Sequence, residues 1–370
     1  MIMKKYKITR ILLILIILFC FKFQVKAQNI SFFTDYLNNV LVFDNGNLKQ
    51  LEHLPIKSYV LGNNAFAYED NAGNFKVYHN RFLHTLSSFV SSYTVSDNLI
   101  AWKMNTQLKV FDNSSSLTLS ITATDCFVGD DIVVWFDNTE KKLKAYYEKE
   151  IYELDDALGT GTMNGVFMGE NIVAFVDSHG YLGVFYEGEI ENLGYYDRIK
   201  SLKVGKDIIA FVEEPLNNFQ IYYFGDVSDV ESFEPKSYKV GDAFVAYVDA
   251  NDYLKVFYNY KHEIISFDKP SFYEIADEVM VFGLQNYFKV WYKGIVFTLD
   301  SHIPQDYKMN NNIVVWIDPL GNLKLFDGEK VETISYETID EFEIHGSCVK
   351  YKFGVNSENI YSNGKTYKND

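Results

Sequence analysis

The chain has 370 residues, a formal net charge of −16 and 48% hydrophobic residues, with 28 Tyr and 30 Phe. So many aromatics support a large packed core and exclude a disordered chain. The acidic excess excludes nucleic acid and anionic membrane surfaces as partners, because lysine and arginine supply most of that affinity.

The first element is residues 1–27. Lys4, Lys5, Lys7 and Arg10 form a basic start, Ile11 to Phe21 is an apolar run, and Val25-Lys26-Ala27 leads to Gln28. That order reads as a secretory signal peptide cut before Gln28. The run is short and closely followed by Lys22 and Lys26, which makes it a poor membrane span, so no direct membrane insertion is expected. A retained anchor helix is the alternative. Phe19 stands where a lipidation signal needs a small residue before Cys20. Cleavage removes six basic residues and no acidic ones, leaving 343 residues and moving the net charge from −16 to −22. Cys126 and Cys348 remain, in distant parts of the chain, and are expected to be buried free thiols.

Residues 28–370 are predicted to form a single repeat domain. The aromatic that ends each "VAF"-like triplet serves as a ruler: Phe33, Tyr68, Trp102, Trp135, Phe175, Phe211, Tyr247, Phe282, Trp316 and Tyr351. Successive spacings are 35, 34, 33, 40, 36, 36, 35, 34 and 35, so there are ten units of roughly 35 residues. In the unit around Tyr247, four strands are predicted. They are Ser237 to Val240, Phe244 to Val248, Leu254 to Tyr258 and Glu263 to Phe267, joined by turns at Gly241-Asp242 and Asp249 to Asp252. The second and third strands are apolar on both faces, which a sheet with one wet face does not need. Four-stranded sheets stacked face to face around an axis explain this, so the fold class is all-β, a β-propeller of about ten four-stranded units. A linear solenoid, or two smaller rings, are the alternatives. Phe33 lies in a second strand, so the first unit is expected to lack its first strand.

Catalytic and metal-binding signals are absent from the pattern. The acids after the second strands (Asp35, Asp70, Asp137, Asp177, Glu213, Asp249 and Asp318) invite a calcium reading. Yet Gly73, Gly180 and Gly321 follow at a spacing of three, which suits a turn whose Asp bonds a backbone amide two residues on. No unit supplies the oxygen ligands of a calcium loop. The seven histidines show no metal-ligand spacing, and His79 and His84 are expected on an exposed hairpin. There is no nucleophile elbow and no P-loop. No catalytic residue, metal or cofactor is therefore assigned, and a binding module is preferred to an enzyme.

Turns from second to third strand and connections from fourth to first emerge on one rim. Several of these turns carry apolar residues: Tyr36-Leu37, Pro215-Leu216, Leu284 with Tyr287, Pro319-Leu320, and Val355. The one long insertion, Asp155 to Gly165, falls on the same rim. Leu37, Leu216, Leu284, Tyr287 and Leu320 are the candidate partner-binding residues. The alternative is that each leucine folds down onto a neighbouring blade.

The Lys-, Asn- and Ile-rich composition and the "VKAQN" junction resemble secreted proteins of Bacteroidota, and the repeats resemble periplasmic propellers of that group. The tenth repeat runs to "NGKTYKND", leaving no room for the sorting domain that many exported proteins of the group carry, so the periplasm is the expected compartment. The overall plan is similar to the Plug subunits of type 9 secretion translocons, which block the periplasmic opening of an outer-membrane channel. That resemblance implies a protein partner, an outer-membrane secretion channel, and carries over no functional residue. A carbohydrate-binding or glycan-cleaving propeller is the second class of reading.

Overall fold

A computed structural model describes residues 30–35, 37–155, 163, 165–354 and 357–368. The expected signal peptide, Tyr36, Val355 and most of the 155–165 insertion lie outside the described residues. Ten antiparallel sheets follow one another along the chain: 30–52, 58–87, 92–120, 123–155, 166–195, 199–231, 237–266, 272–300, 307–335 and 341–368. Blades two to ten each have four strands paired in chain order, and blade one has three. Its first strand, Ile30–Thr34, holds Phe33 and is thus a second strand, as the spacing predicts. One 3-10 turn, Tyr196–Arg198, is the sole helical element among the described residues.

Burial on both faces explains the unbroken apolar runs. All five residues of Phe244–Val248 are buried. One face, Val245 and Tyr247, packs on Ile208, Ala210 and Phe219 of blade six. The other, Phe244 and Ala246, packs on Met280, Phe282 and Trp291 of blade eight. Trp102, Trp135 and Trp316 are fully buried in equivalent joints, where truncation to alanine costs about 3–5 kcal/mol. Polar bonds reinforce some joints: the Tyr78 hydroxyl donates to Asp44 at 2.9 Å and that of Tyr146 to Asp112 at 2.7 Å, each reaching the preceding blade. The outermost strands are largely exposed, and that of blade seven runs Lys261–Ser266, starting two residues before the expected Glu263. The cause is the two-residue hairpin Asn259-Tyr260, both at positive φ, which returns the chain at once.

First strands of successive blades lie beside one another around the axis. Blade ten meets blade one through side chains: Phe33 and Phe43 pack with Cys348 and Ile360, and the Phe43 and Tyr367 rings are 4.9 Å apart. The Ser31 hydroxyl is 2.9 Å from His345 Nδ1 across the same joint. The ten blades therefore close into one ring, which excludes the solenoid and the two smaller rings. No strand is shared across this joint among the described residues. Where blade one has no inner strand among the described residues, Gly346 of blade ten comes close to Asn63 of blade two.

Two expectations need correction. His79 is buried and His84 half-buried, both against Phe111 of the next blade, so neither sits on an exposed hairpin. Cys348 is buried, as expected, but Cys126 is only half-buried because its strand lines the axial cavity; both thiols are free.

Candidate functional site

The two ends of the ring differ in chemistry. On the end formed by the turns from second to third strand, the aspartates build the turns. Asp318 accepts the amides of Leu320 at 2.9 Å and Asn322 at 2.8 Å, and Asp249 those of Asn251 at 2.8 Å and Tyr253 at 3.0 Å. The expected bond two residues on is present, with a second bond four residues on. Burial alone would raise the pKa of Asp70, but its bonds to Asn74 and Lys76 hold it at about 2. These carboxylates are occupied in structure.

Four of the candidate residues on this rim are exposed: Leu37 is 60% exposed, Leu216 72%, Tyr287 45% and Leu320 87%. Leu284 differs, being half-buried against the core between blades seven and eight. The structure thus brings four of the five candidates to the rim surface, and Leu284 follows the alternative of folding down.

The sequence reading missed a second set on the same rim. Ser266 closes its connection by accepting the Asp268 amide at 3.0 Å, which leaves Phe267 standing 69% exposed. Ser335 accepts the Glu337 amide at 3.1 Å, and Tyr336 between them is 80% exposed. Ser120 does the same for Thr122 at 3.1 Å, with Ile121 exposed. Each serine is buried. The signal was available: Ser232-Phe233-Glu234, Ser266-Phe267-Asp268 and Ser335-Tyr336-Glu337 all follow a fourth strand.

At the opposite end, polar groups gather near the axis. Turns from first to second strand converge on the axis and bond one to the next: Asp130 N donates to Glu170 O at 2.6 Å, Asn171 N to Lys206 O at 3.0 Å, Asp207 N to Asp242 O at 3.0 Å, and Asp242 N to Asp277 O at 2.8 Å. A Cβ on Gly129, Gly169 or Gly205 would meet the next turn's carbonyl at 2.1, 1.9 or 2.0 Å, so the belt requires glycine there.

This convergence gathers charge that no single unit carries. Carboxylate oxygens of Glu170, Asp242 and Asp277 lie within 4.8 Å of one another. Lys206 pairs with Asp130 at 2.5 Å and Glu170 at 2.8 Å. Burial, with Glu170 and Asp277 beside it, pushes Asp242 up to about 8, and burial likewise raises Glu170 to about 7. Burial would lower the Lys206 pKa, but its two carboxylates hold it raised. The three carboxylates could hold a cation in Lys206's stead. With Lys206 and Thr94 they line an axial cavity of about 510 Å³, whose apolar lining includes Phe127, Val128, Met168 and Val204. No nucleophile is paired with a base there among the described lining residues.

A family profile described as "10-bladed beta propeller domain" matches residues 24–367. No curated protein matches the sequence significantly. Among solved structures, the computationally designed Ika8 protein is 17% identical, with 72% of this chain and 93% of that chain covered and a TM-score of 0.32. The tricorn protease is 10% identical, covering 94% of this chain and 46% of that one, TM-score 0.32. Prp20p from Saccharomyces cerevisiae, described with its binding to Gsp1p and histones, is 9% identical, covering 56% and 74%, TM-score 0.31. Likenesses at these scores carry no functional argument.

Proposed function

The chain belongs to the 10-bladed beta propeller domain family, and from that premise we propose that it is a non-catalytic interaction module of the periplasm that docks by one rim onto an outer-membrane or periplasmic protein. A propeller is suited to mediating protein–protein contacts. The observation that carries the reading is the rim itself, where Leu37, Leu216, Tyr287 and Leu320 stand exposed, the first and last at turns whose aspartates are committed to the backbone. Apolar side chains exposed repeatedly along one rim suit an interaction surface. A blocking role at the periplasmic opening of a secretion channel is the specific form that the resemblance adds.

Affinity purification from cross-linked envelope membranes, followed by mass spectrometry, tests the reading. One protein partner in stoichiometric yield is expected. Recovery of intact protein with no stoichiometric partner would sink it. Sequencing of the purified N-terminus tests the compartment, with Gln28 as the expected first residue.

A further inference from the structure

The serine-held side chains and the acids beside them point to the partner's chemistry. On the arc from blade six to blade ten, Leu216, Phe233, Phe267, Leu320 and Tyr336 are all strongly exposed. Buried serines fix at least two of these aromatics outward, so little side-chain freedom remains to be lost on docking. Three lysines on this arc are already committed: Lys236 and Lys269 both pair with Asp252, at 2.7 and 3.5 Å, and Lys200 pairs with Glu234 at 2.5 Å. Asp268, Asp306 and Glu337 are exposed and have no ion pair among the described residues. The arc is therefore apolar projections set among uncompensated negative charge.

We propose that this arc docks a protein surface that offers apolar sockets ringed by lysine or arginine. Phe267, Leu320 and Tyr336 fill the sockets, and Asp268, Asp306 and Glu337 meet the cations. Opposite potentials across a rim steer encounter and reject wrong partners. An anionic membrane surface is disfavoured, because the same acids are repelled by its headgroups. This inference rests on the interaction reading above and adds the location and charge of the contact.

The test is site-specific photo-crosslinking in living cells. A benzoylphenylalanine replaces, one at a time, Phe267, Leu320 and Tyr336, and, as controls on the opposite rim, Phe224 and Tyr260. Protein adducts are expected from the first three positions and not from the controls, with the adducted partner segments carrying lysine or arginine beside apolar residues. The double variant Asp268→Asn, Glu337→Gln, which alters exposed residues and keeps the fold, should lower adduct yield by about tenfold at low salt and flatten its salt dependence. Adducts from the control positions alone would overturn the inference while leaving the interaction reading standing. Lipid adducts, acidic partner segments or an unchanged salt dependence would also overturn it. No protein adduct from any position would remove both.

Discussion

The Lys206 ammonium lies 2.5 Å from the Asp130 carboxylate, which belongs to a blade two positions earlier in the ring. Because Lys206 also reaches Glu170 in the blade between them, one cation ties three consecutive blades near the axis. Replacing it with methionine leaves those carboxylates, and Asp242, without a counter-charge. After allowing for partial solvent screening, Lys206→Met should cost about 2 kcal/mol at pH 8. At pH 6 the loss should shrink, because Glu170 and Asp242, already raised by burial, take up protons. Urea midpoints at the two pH values decide it, and an equal loss at both would contradict this account.

Asp242→Asn should act in the opposite direction. The folded chain holds a proton on Asp242 up to about pH 8, whereas the unfolded chain releases it near the ordinary carboxylate value. Stability is therefore lost as pH rises through the folded value. Above pH 6.5 the wild type should weaken steadily towards pH 8, while the variant stays flatter and is more stable at pH 8 by about 1–2 kcal/mol. Below about 6.5 the buried His79 and the half-buried His345, both lowered by desolvation, give the reverse slope, so the comparison belongs above that value. Parallel pH profiles for the two proteins would refute the assignment.

Gly205→Ala tests the belt of turns. A Cβ at that position would sit 2.0 Å from the Gly241 carbonyl oxygen and 2.7 Å from Val240 Cγ1. Backbone must move to admit it, at a cost of about 2 kcal/mol or more. A lowered melting temperature is expected in calorimetry, and an unchanged one would mean that neighbouring turns are free to separate.

Leu320 and Leu284 should respond oppositely to the same change. Leu320→Asp places a charge on an exposed tip and should move stability by no more than about 0.5 kcal/mol. Leu284→Asp puts a carboxylate against Met280 and Phe282 and should cost about 2 kcal/mol or more. Thermal denaturation of the two single variants checks this, and matching losses would count against it.

Those two leucines also show where sequence ceased to be informative. Both follow a ruler aromatic closely, Leu284 two residues after Phe282 and Leu320 four residues after Trp316. In blade eight the strand continues through Leu284 and pairs it with Tyr287, so its side chain is held over the core. In blade nine the strand stops at Ile317, and a longer Asp318-to-Asn322 turn carries Leu320 away. Strand ends differing by a residue or two decide exposure, and periodicity does not resolve them. The ring itself was legible, because Tyr247 or Trp316 must be buried once per unit whatever the turns do. Glu170, Asp242 and Asp277 were not. Each is an ordinary acid in an ordinary turn, and their interaction arises when ring closure brings turns over 100 residues apart to within 4.8 Å.

The joint between blades one and ten has a mechanical meaning. A peptide connection links every other pair of neighbours, but this joint is held by contacts such as Phe43 on Tyr367 and Ser31 on His345. Tension applied between Ile30 and Lys368 pulls directly on it, and it can part without any strand leaving its sheet. The ring should behave as a band with one clasp, yielding there at low force before any blade unravels. A single-molecule pulling trace should show a short first extension, followed by larger steps as whole blades are drawn out; a first step the length of a blade would show that the clasp is as strong as the sheets it joins.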